Sequence, residues 1–445
     1  MAAEPALRRG RARSHHRIAD EIPESLAVRT LRARRWLTRF GSWLRAALSG
    51  PVAAVGGWLA SAISGTRSPP EDITLDPSYY EQLVDLPQVP ARPPLTKFER
   101  VSTAEATAID NVTRIISRSV ISSYCTAKTA DRAAKATRGQ HAKQHGCLQA
   151  NFIVRQDLPA EFAVGVFQPG ARYSAVVRFS NSMGSPKPDK ERDGRGMAIK
   201  LRNVDGRALL ADQLPQRGAT EQDFLISGHP VFFCRNVADY TAFMTMLDMP
   251  RGTRGERFRA TSKFILFFLC RPLRVFGAFA ATASRPVKNP LTSDYHSMTP
   301  YLFGEDRVVR YVATPVAPRR GENSDTESDN YLRNALVETL NPARHPNAQP
   351  IAFDFSIQIR HRPTPADVED ANRQWRRRRD VKVSLARIEI PMQQFDVADQ
   401  ECACQDLSFN PWHCLPEHRP LGGLNRMRLA VYMASTQVRH RLNGI

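Results

Sequence analysis

The stretch 172–201, RYSAVVRFSNSMGSPKPDKERDGRGMAIKL, contains two strand-like runs separated by a polar segment. The runs 173–179 and 197–201 are rich in β-branched and aromatic residues, with polar side chains interspersed. Similar runs occur at 151–154 and 350–359. This pattern is typical of antiparallel strands that have one face in a core and one in water. We therefore predict an α+β fold built on an antiparallel sheet or barrel.

The size and cysteine content favour an ordinary globular core. A chain of 445 residues, of which 42% are apolar, can bury a large core without crosslinks. The seven cysteines are scattered, and no pair has the C-x-x-C spacing of a structural zinc site. We interpret the closest pair, Cys402 and Cys404, as incidental. Because the number of cysteines is odd and their spacing suggests no disulfide framework, a reducing compartment is favoured for the protein.

The formal net charge of +19 is concentrated at one end of the chain. Residues 1–45 contain 11 Arg and 4 acidic residues, and the remaining charge is spread thinly. The run 376–379 consists of four arginines after Trp375. It is better interpreted as a solvated helix face than as a segment that binds in a nucleic-acid groove. The charge distribution therefore does not predict nucleic-acid binding.

Three segments are predicted along the chain: a basic and apolar tail at 1–66, a Pro-rich arm at 67–110, and a globular domain at 111–445. Within the tail, residues 46–65 are uncharged. A peripheral membrane anchor, an export signal after Arg34-Arg35, and a plain amphipathic tail all fit this pattern. A cytoplasmic or membrane-associated location is favoured, with export as an alternative.

Apolar spacing predicts three helices. Apolar residues recur at helical spacing over 112–137. The apolar run 264–269 lies between basic residues and is too short to span a bilayer, so we predict a buried or surface-lying helix that contacts the core, a membrane or an apolar substrate. The segment from Asn425 contains no Pro or Gly until Gly444, which predicts a terminal helix.

The terminal helix carries Arg428, Tyr432 and Arg439 on one face, because residues four and seven apart align along a helix. A cation one turn from a phenol favours the phenolate, which is the form that binds Fe(III). Taken alone, an Arg-x-x-x-Tyr pair is usually two surface neighbours.

Five further motifs occur in a fixed order before this helix. They are Arg138-Gly-Gln-His141-Ala-Lys143, Phe167-x-Pro169-Gly170, Val177-Arg178-Phe179-Ser180, Arg192-Asp193-Gly-Arg195-Gly196-Met-Ala-Ile-Lys200 and His229-Pro230-Val231-Phe232-Phe233. Together with Arg428-x-x-x-Tyr432 they resemble the haem catalases over about residues 130–440. The stretches 407–413, 419–423 and 425–426 further resemble a small, divergent catalase-like branch.

The resemblance implies a catalase-like antiparallel β-barrel with surrounding helices, an extended N-terminal arm and bound haem b. Tyr432 matches the iron ligand and Arg428 its partner. His141 matches the distal histidine that moves protons, and Ser180 matches the serine that orients it. His145 is the rival for the histidine role, but only His141 has an arginine three residues before it.

Four more residues match positions around the haem. Arg138, Arg178 and Arg439 match arginines that bind the anionic propionates, and arginine suits this role because its charge is permanent and its donors are paired. Phe232 matches an aromatic residue that packs near the haem. The glycines around Arg195 are expected to allow close backbone packing, and Arg192 and Asp193 to be structural.

Two features depart from the catalase pattern. Ser227-Gly228 stands where efficient catalases have an asparagine pair that helps the distal histidine hold peroxide. A serine donates one hydrogen bond but reaches less far than an amide, so rapid disproportionation is in doubt. Only a short segment follows Tyr432, so we expect no counterpart of the helical C-terminal domain of large catalases.

The resulting prediction is a haem-dependent enzyme of catalase or peroxidase type that consumes hydrogen peroxide or an organic hydroperoxide. One alternative is rearrangement of a fatty-acid hydroperoxide, as in allene oxide synthases of the same fold. Another is a haem-binding protein with little turnover. The resemblance also implies a homo-oligomer, with dimers or tetramers that exchange N-terminal arms.

Overall fold

The computed structural model describes residues 93–131, 133–211, 220–249, 253–284, 287–316, 326–375 and 380–445. The predicted tail at 1–66, the first part of the Pro-rich arm and the arginine run 376–379 lie outside these residues. The interpretations given to them therefore stay predictions.

A nine-stranded antiparallel sheet forms the centre of the described structure. In chain order the strands are β1 (Gln144–Val154), β2 (Arg172–Asn181), β3 (Arg195–Leu201), β4 (Gln222–Ser227), β5 (Tyr295–His296), β6 (Tyr301–Phe303), β7 (Arg307–Pro315), β8 (Ile351–Arg360) and β9 (Asp380–Ile390). Their spatial order is β5-β4-β3-β2-β1-β9-β8-β7-β6, and an extra pairing of β5 with β7 closes the sheet into a barrel. The predicted antiparallel barrel is confirmed, and all four predicted strand runs lie in it.

The alternation of side chains fills the barrel. Leu148, Val177, Ile199 and Phe224 lie opposite one another on four adjacent strands, and each is at most 1% exposed. Because successive residues of a strand point to opposite faces, the next row, which includes Arg178, lies on the outer face of the barrel. The sequence alternation thus separates an apolar interior from a functional exterior.

Aromatic rings and one histidine fill the barrel interior. Phe167 packs edge-on against the His418 ring at 5.1 Å between centroids. The Val166 amide donates to His418 Nε2 at 3.2 Å, and the Tyr311 hydroxyl lies 3.3 Å from His418 Nδ1. Burial lowers the pKa of His418 to about 3, so this ring is neutral in the folded protein at neutral pH.

Eight α-helices surround the barrel in the described part of the chain. They are α1 (Glu105–Ala130), α2 (Val237–Leu247), α3 (Arg254–Leu269), α4 (Leu273–Ser284), α5 (Tyr331–Leu340), α6 (Pro365–Glu369), α7 (Ala398–Asp406) and α8 (Gly423–Asn443). The helix predicted from Asn425 is confirmed as α8, which packs along α1. The run 264–269 lies in α3, where Phe264 and Phe267 are buried and Ile265, Leu266 and Leu269 are exposed.

The described end of the arm is fixed by a buried ionic cluster. Arg426 at the start of α8 donates to the carboxylates of Glu99 at 2.7 Å, Glu105 at 2.6 Å and Glu369 at 3.1 Å. Burial opposes the charge of Glu99, but hydrogen bonds from the Thr96 and Gly422 amides and the Arg426 charge hold its pKa below the usual value. Helix α1 runs from Glu105 to Ala130, whereas the apolar spacing predicted 112–137, and the ionic cluster anchors its early start through Glu105.

One cysteine pair differs from the sequence-based expectation. Cys147 on β1 and Cys404 on α7 form a disulfide across a separation of 257 residues, although no cysteine framework was predicted. Cys402, the close neighbour of Cys404, is free and exposed. The disulfide joins the barrel wall to the last turn of α7.

Among the described helices, none alone has the length and apolar composition of a membrane span. The pair formed by α3 and residues 273–282 of α4 passes that test together but is bent by 118°.

The buried imidazole of His418 predicts a pH dependence of stability. Its pKa of about 3 in the folded protein lies below the value of about 6.5 in an unfolded chain, so the unfolded state binds one more proton between these pH values. Stability is therefore lost as the pH falls from about 6.5 towards 3.

The test compares urea unfolding of wild-type and His418→Gln protein between pH 6 and 4. The slope of unfolding free energy against pH should be smaller in His418→Gln by about 1.4 kcal/mol per pH unit. Because carboxylates and the other histidines are common to both proteins, their titrations cancel in this difference. Equal slopes would contradict the neutral state of the buried ring.

Candidate functional site

A cavity lies between the outer face of the barrel and α8. Ser180, Gly196 and Ser227 lie side by side in the register of β2, β3 and β4, and all three line it. Arg428 and Tyr432 line it from α8. The cavity has a volume of about 110 Å³.

His141 reaches the cavity from the turn before β1. Its backbone is in the left-handed region, with φ of 57°, and its amide donates to the Ser182 carbonyl at 3.1 Å. The ring Nδ1 lies 3.1 Å from Ser180 Oγ. Such a backbone conformation is costly for a residue with a side chain, and it is maintained here by the contacts that aim the ring.

Gly196 provides the space in which the His141 ring lies. A methyl group at Gly196 would approach the ring atoms Cε1 and Nδ1 of His141 at 2.6 Å. The glycine predicted to serve close packing therefore serves the histidine itself, so that the ring lies flat against β3.

The charges around His141 keep it neutral. Burial, and then the positive charges of Arg178 and Arg428, lower its pKa to about 3. A neutral imidazole can accept a proton at neutral pH.

Tyr432 and Arg428 form a hydrogen-bonded pair one helical turn apart. Arg428 donates to the Tyr432 hydroxyl at 3.3 Å, and also to Asn425 Oδ1 at 3.1 Å and Thr299 Oγ1 at 3.3 Å. Burial opposes the charge of Arg428, but the Tyr432 and Tyr301 phenols raise its pKa above the ordinary value. The guanidinium is thus fixed in position and charged beside the phenol oxygen.

Arg138, Arg178 and Arg439 line the same cavity. Arg138 donates to Gln405 Oε1 at 2.7 Å and to the Leu407 carbonyl at 2.8 Å. Arg178 donates to the His141 carbonyl at 2.9 Å, and Arg439 donates to the carbonyls of Gln405 and Leu407. Neutral oxygens thus position all three side chains.

These guanidinium groups repel one another. Within the described residues, none of the three forms a salt bridge with a carboxylate, although the charge of Asp406 favours the charged forms of Arg138 and Arg439. Burial, followed by the charges of Arg178 and Arg439, holds the pKa of Arg138 well below its usual value. Burial and the Arg439 charge lower the pKa of Arg178 to about 9. Because buried charges are normally paired, this cluster is a strong attractor for an anionic ligand.

A second, larger cavity, with a volume of about 210 Å³, adjoins the first. The two share His141, Ser227, Arg428 and Tyr432. The wall of the second cavity is otherwise mostly apolar. Its aromatic and aliphatic side chains are those of Phe232, Phe233, Tyr240, Phe243, Met244, Leu247, Phe279, Leu424, Met427 and Val431. Phe232, predicted to pack near a haem, lies 4.8 Å from the Phe233 ring.

All nine predicted site residues therefore line these two adjoining cavities, while the rival His145 lines neither. His145 is buried and bonds through Nε2 to Asn181 Oδ1 at 2.8 Å. Asp193 accepts from the Met183 amide, consistent with its expected structural role.

Some contributors had no signal in the sequence. The loop residues Met298 and Thr299 reach the site from outside any recognised motif. The carbonyls that hold Arg138 and Arg439 lie at the end of α7 and at Leu407, the residue that follows it, and backbone oxygens carry no sequence signature.

No protein-family model matches this chain, and no curated protein matches it. Among solved structures it is similar to a fungal catalase, with a TM-score of 0.49 and 16% identity over 72% of this chain and 62% of that one. It is also similar to catalase A from Saccharomyces cerevisiae, with a TM-score of 0.49 and 16% identity over 73% of this chain and 66% of the yeast enzyme. A bacterial catalase gives a TM-score of 0.48 and 15% identity over 81% and 69%. The chain thus spans less than two thirds of the length of the first two.

The close approach of Gly196 to His141 predicts an asymmetric effect of two similar substitutions. Gly196→Ala should destabilise the protein by about 1–3 kcal/mol, because the methyl group must displace the ring or the strand. Gly228→Ala is the matched control, since the nearest atom to its methyl group is 3.7 Å away. Urea unfolding measures both, and equal effects would contradict the packing of His141 on β3.

Proposed function

We propose that this chain is a haem-dependent peroxide-consuming enzyme of catalase or peroxidase type. The proposal is carried by one observation: a neutral His141 and the Arg428–Tyr432 pair line the same cavity as Arg138, Arg178 and Arg439, which form no salt bridge with a carboxylate within the described residues. An anionic group with a metal centre would complement this set of charges and donors.

The donor set fits haem. Tyr432 would provide the iron ligand, and the adjacent Arg428 would favour its phenolate form by charge and by the 3.3 Å hydrogen bond. Arg138, Arg178 and Arg439 would hold the two propionates, whose negative charges would relieve the repulsion among the guanidinium groups. Phe232 and the other apolar residues of the second cavity would cover the macrocycle.

Bound haem would supply the redox chemistry for cleavage of the O–O bond. His141 would move the protons: if Nδ1–H donates to Ser180 Oγ, the lone pair of Nε2 is free to accept a proton from peroxide. The imidazolium then returns the proton to the departing oxygen. The charges of Arg178 and Arg428 favour this return, because they oppose a lasting positive charge on the ring.

Ser227 limits how fast hydrogen peroxide can be disproportionated. Its hydroxyl donates to the Arg195 carbonyl at 2.9 Å, so it has only acceptor capacity left for a ligand. The distal pocket therefore has one oriented donor fewer than an amide would provide. Among peroxide reactions this favours peroxidase action or slow disproportionation.

An organic hydroperoxide is the second candidate substrate, and it is favoured by the apolar wall of the second cavity. Such a substrate would allow either reduction or the rearrangement catalysed by allene oxide synthases. Analysis of the products and of donor consumption separates these two reactions, because reduction gives an alcohol and consumes an electron donor, whereas rearrangement consumes none.

The ligand assignment predicts different effects of two tyrosine substitutions. Tyr432→Phe should abolish the ferric tyrosinate absorption spectrum of the haem-loaded protein, because it removes the iron ligand. Tyr240→Phe, which removes another phenol from the cavity wall, should leave that spectrum unchanged. His141→Ala should retain haem but consume peroxide at least about a hundredfold more slowly. An unchanged spectrum in Tyr432→Phe would refute the ligand assignment.

The arginine cluster predicts faster haem loss when its charge is reduced. Arg178→Gln should release haem to an excess of an acceptor protein at least about tenfold faster, because a charge-assisted hydrogen bond to a propionate is lost. Arg155→Gln removes an exposed arginine paired with Asp157 and should leave the rate unchanged. Identical rates for both variants would exclude a propionate contact of Arg178.

A further inference from the structure

We propose that the bent helix pair α3–α4 is a docking surface for membranes containing anionic phospholipid. Five large apolar side chains on it are exposed to solvent and are called the outer stripe here. They are Phe258 (76% exposed), Ile265 (53%), Leu266 (56%), Leu269 (60%) and Leu273 (73%). Exposed apolar groups in this number on one element mark an interaction surface.

The outer stripe is one side of a helix that is apolar on two sides. Phe258, Ile265 and Leu269 are seven and four residues apart and therefore share one face of α3. Ala260, Phe264 and Phe267 are buried on the other side and pack into the helical core. Only the inner side is thus covered by the rest of the described chain.

Basic residues on α3 indicate the chemistry of the partner. The helix contains Arg254, Arg257, Arg259 and Lys263 but only one acidic residue, Glu256, which forms a capping box with Thr253. Arg254, Arg259 and Lys263 are exposed. An apolar stripe with basic flanks matches a helix that lies in the interface of an anionic bilayer.

The charge also argues against a second copy of the chain as the occupant. A two-fold contact through α3 would bring the same patch of each copy together, and with it the basic flanks. Like charges facing one another are unfavourable, whereas anionic headgroups neutralise them.

The position of the outer stripe gives docking a functional consequence. Phe267 packs against Phe243 at 5.7 Å and Phe264 against Phe279 at 5.9 Å between ring centroids. Phe243 and Phe279 in turn line the apolar cavity that extends to His141 and Tyr432. The backbone of α3 and two contacting rows of phenylalanine rings therefore separate the docking surface from the cavity. Delivery of a membrane-dissolved hydroperoxide along this route rests on the proposed function, whereas docking itself does not.

The geometry fits a helix pair that lies on the membrane. Helix α3 has 16 residues, or about 24 Å, which is shorter than the hydrocarbon core of about 30 Å. The 118° bend turns α4 away from the axis of α3.

The test is flotation of the full-length, haem-loaded protein with vesicles of phosphatidylcholine alone or with 30% phosphatidylglycerol, taken as a probe composition of roughly physiological anionic content. Binding to the anionic vesicles should weaken at least about tenfold in Ile265→Glu/Leu269→Glu and in Arg259→Gln/Lys263→Gln. Val397→Glu is the matched control, because Val397 is 48% exposed and lies outside the helix pair. Peroxide consumption in detergent-free buffer should be unchanged in all variants, which separates docking from catalysis.

A second measurement reports on the outer stripe directly. Tryptophan emission of Phe258→Trp should shift to shorter wavelength when anionic vesicles are added, because the side chain enters an apolar phase. Either of two results would overturn the proposal: binding of both double variants within threefold of wild type, or a lipid-free wild-type oligomer that dissociates in Ile265→Glu/Leu269→Glu. The second result would identify the surface as a contact between copies.

Discussion

The positive charge of Arg138, Arg178 and Arg439 dominates the energetics of the site, because none of these guanidinium groups forms a salt bridge within the described residues. Burial opposes these charges and their mutual repulsion adds to the cost, while the charge of Asp406 offsets part of it for Arg138 and Arg439. The protein tolerates it because backbone carbonyls and glutamine oxygens hold each side chain. The Cys147–Cys404 disulfide joins the barrel to the segment that supplies several of those carbonyls. A ligand with two carboxylates would reduce the electrostatic repulsion among these guanidinium groups.

The barrel makes this arrangement possible by separating two environments across one strand. Val177 and Phe179 contribute to the aromatic interior, and the alternate residues Arg178 and Ser180 face the cavity. Burial, together with the same positive charges that would attract an anion, lowers the pKa of His141 and keeps its ring neutral. Charge that binds a cofactor thereby also sets the protonation state of the proposed acid–base group.

The periodicity of the sequence and the order of its motifs predicted the strands of the barrel and the choice between two histidines. Strand alternation identified four runs that lie in the barrel, and the arginine before His141 distinguished it from His145, which lies away from the cavity. The two-residue strand β5 that closes the barrel is too short for a periodic signal. The Cys147–Cys404 pairing was missed because sequence spacing says nothing about proximity across 257 residues. The start of α1 depends on Arg426, which lies more than 300 residues away, and the commitment of the Ser227 hydroxyl to a backbone carbonyl appears only in three dimensions.

The need for negative charge at the arginine cluster can be measured directly by comparing haem with its dimethyl ester, which has the same iron and macrocycle but neutral side chains. If the arginines hold two carboxylates, the ester should bind at least about a hundredfold more weakly, since each charge-assisted interaction contributes about 1.5–3 kcal/mol. Equal affinities of haem and its ester would contradict a role of Arg138, Arg178 and Arg439 in cofactor binding.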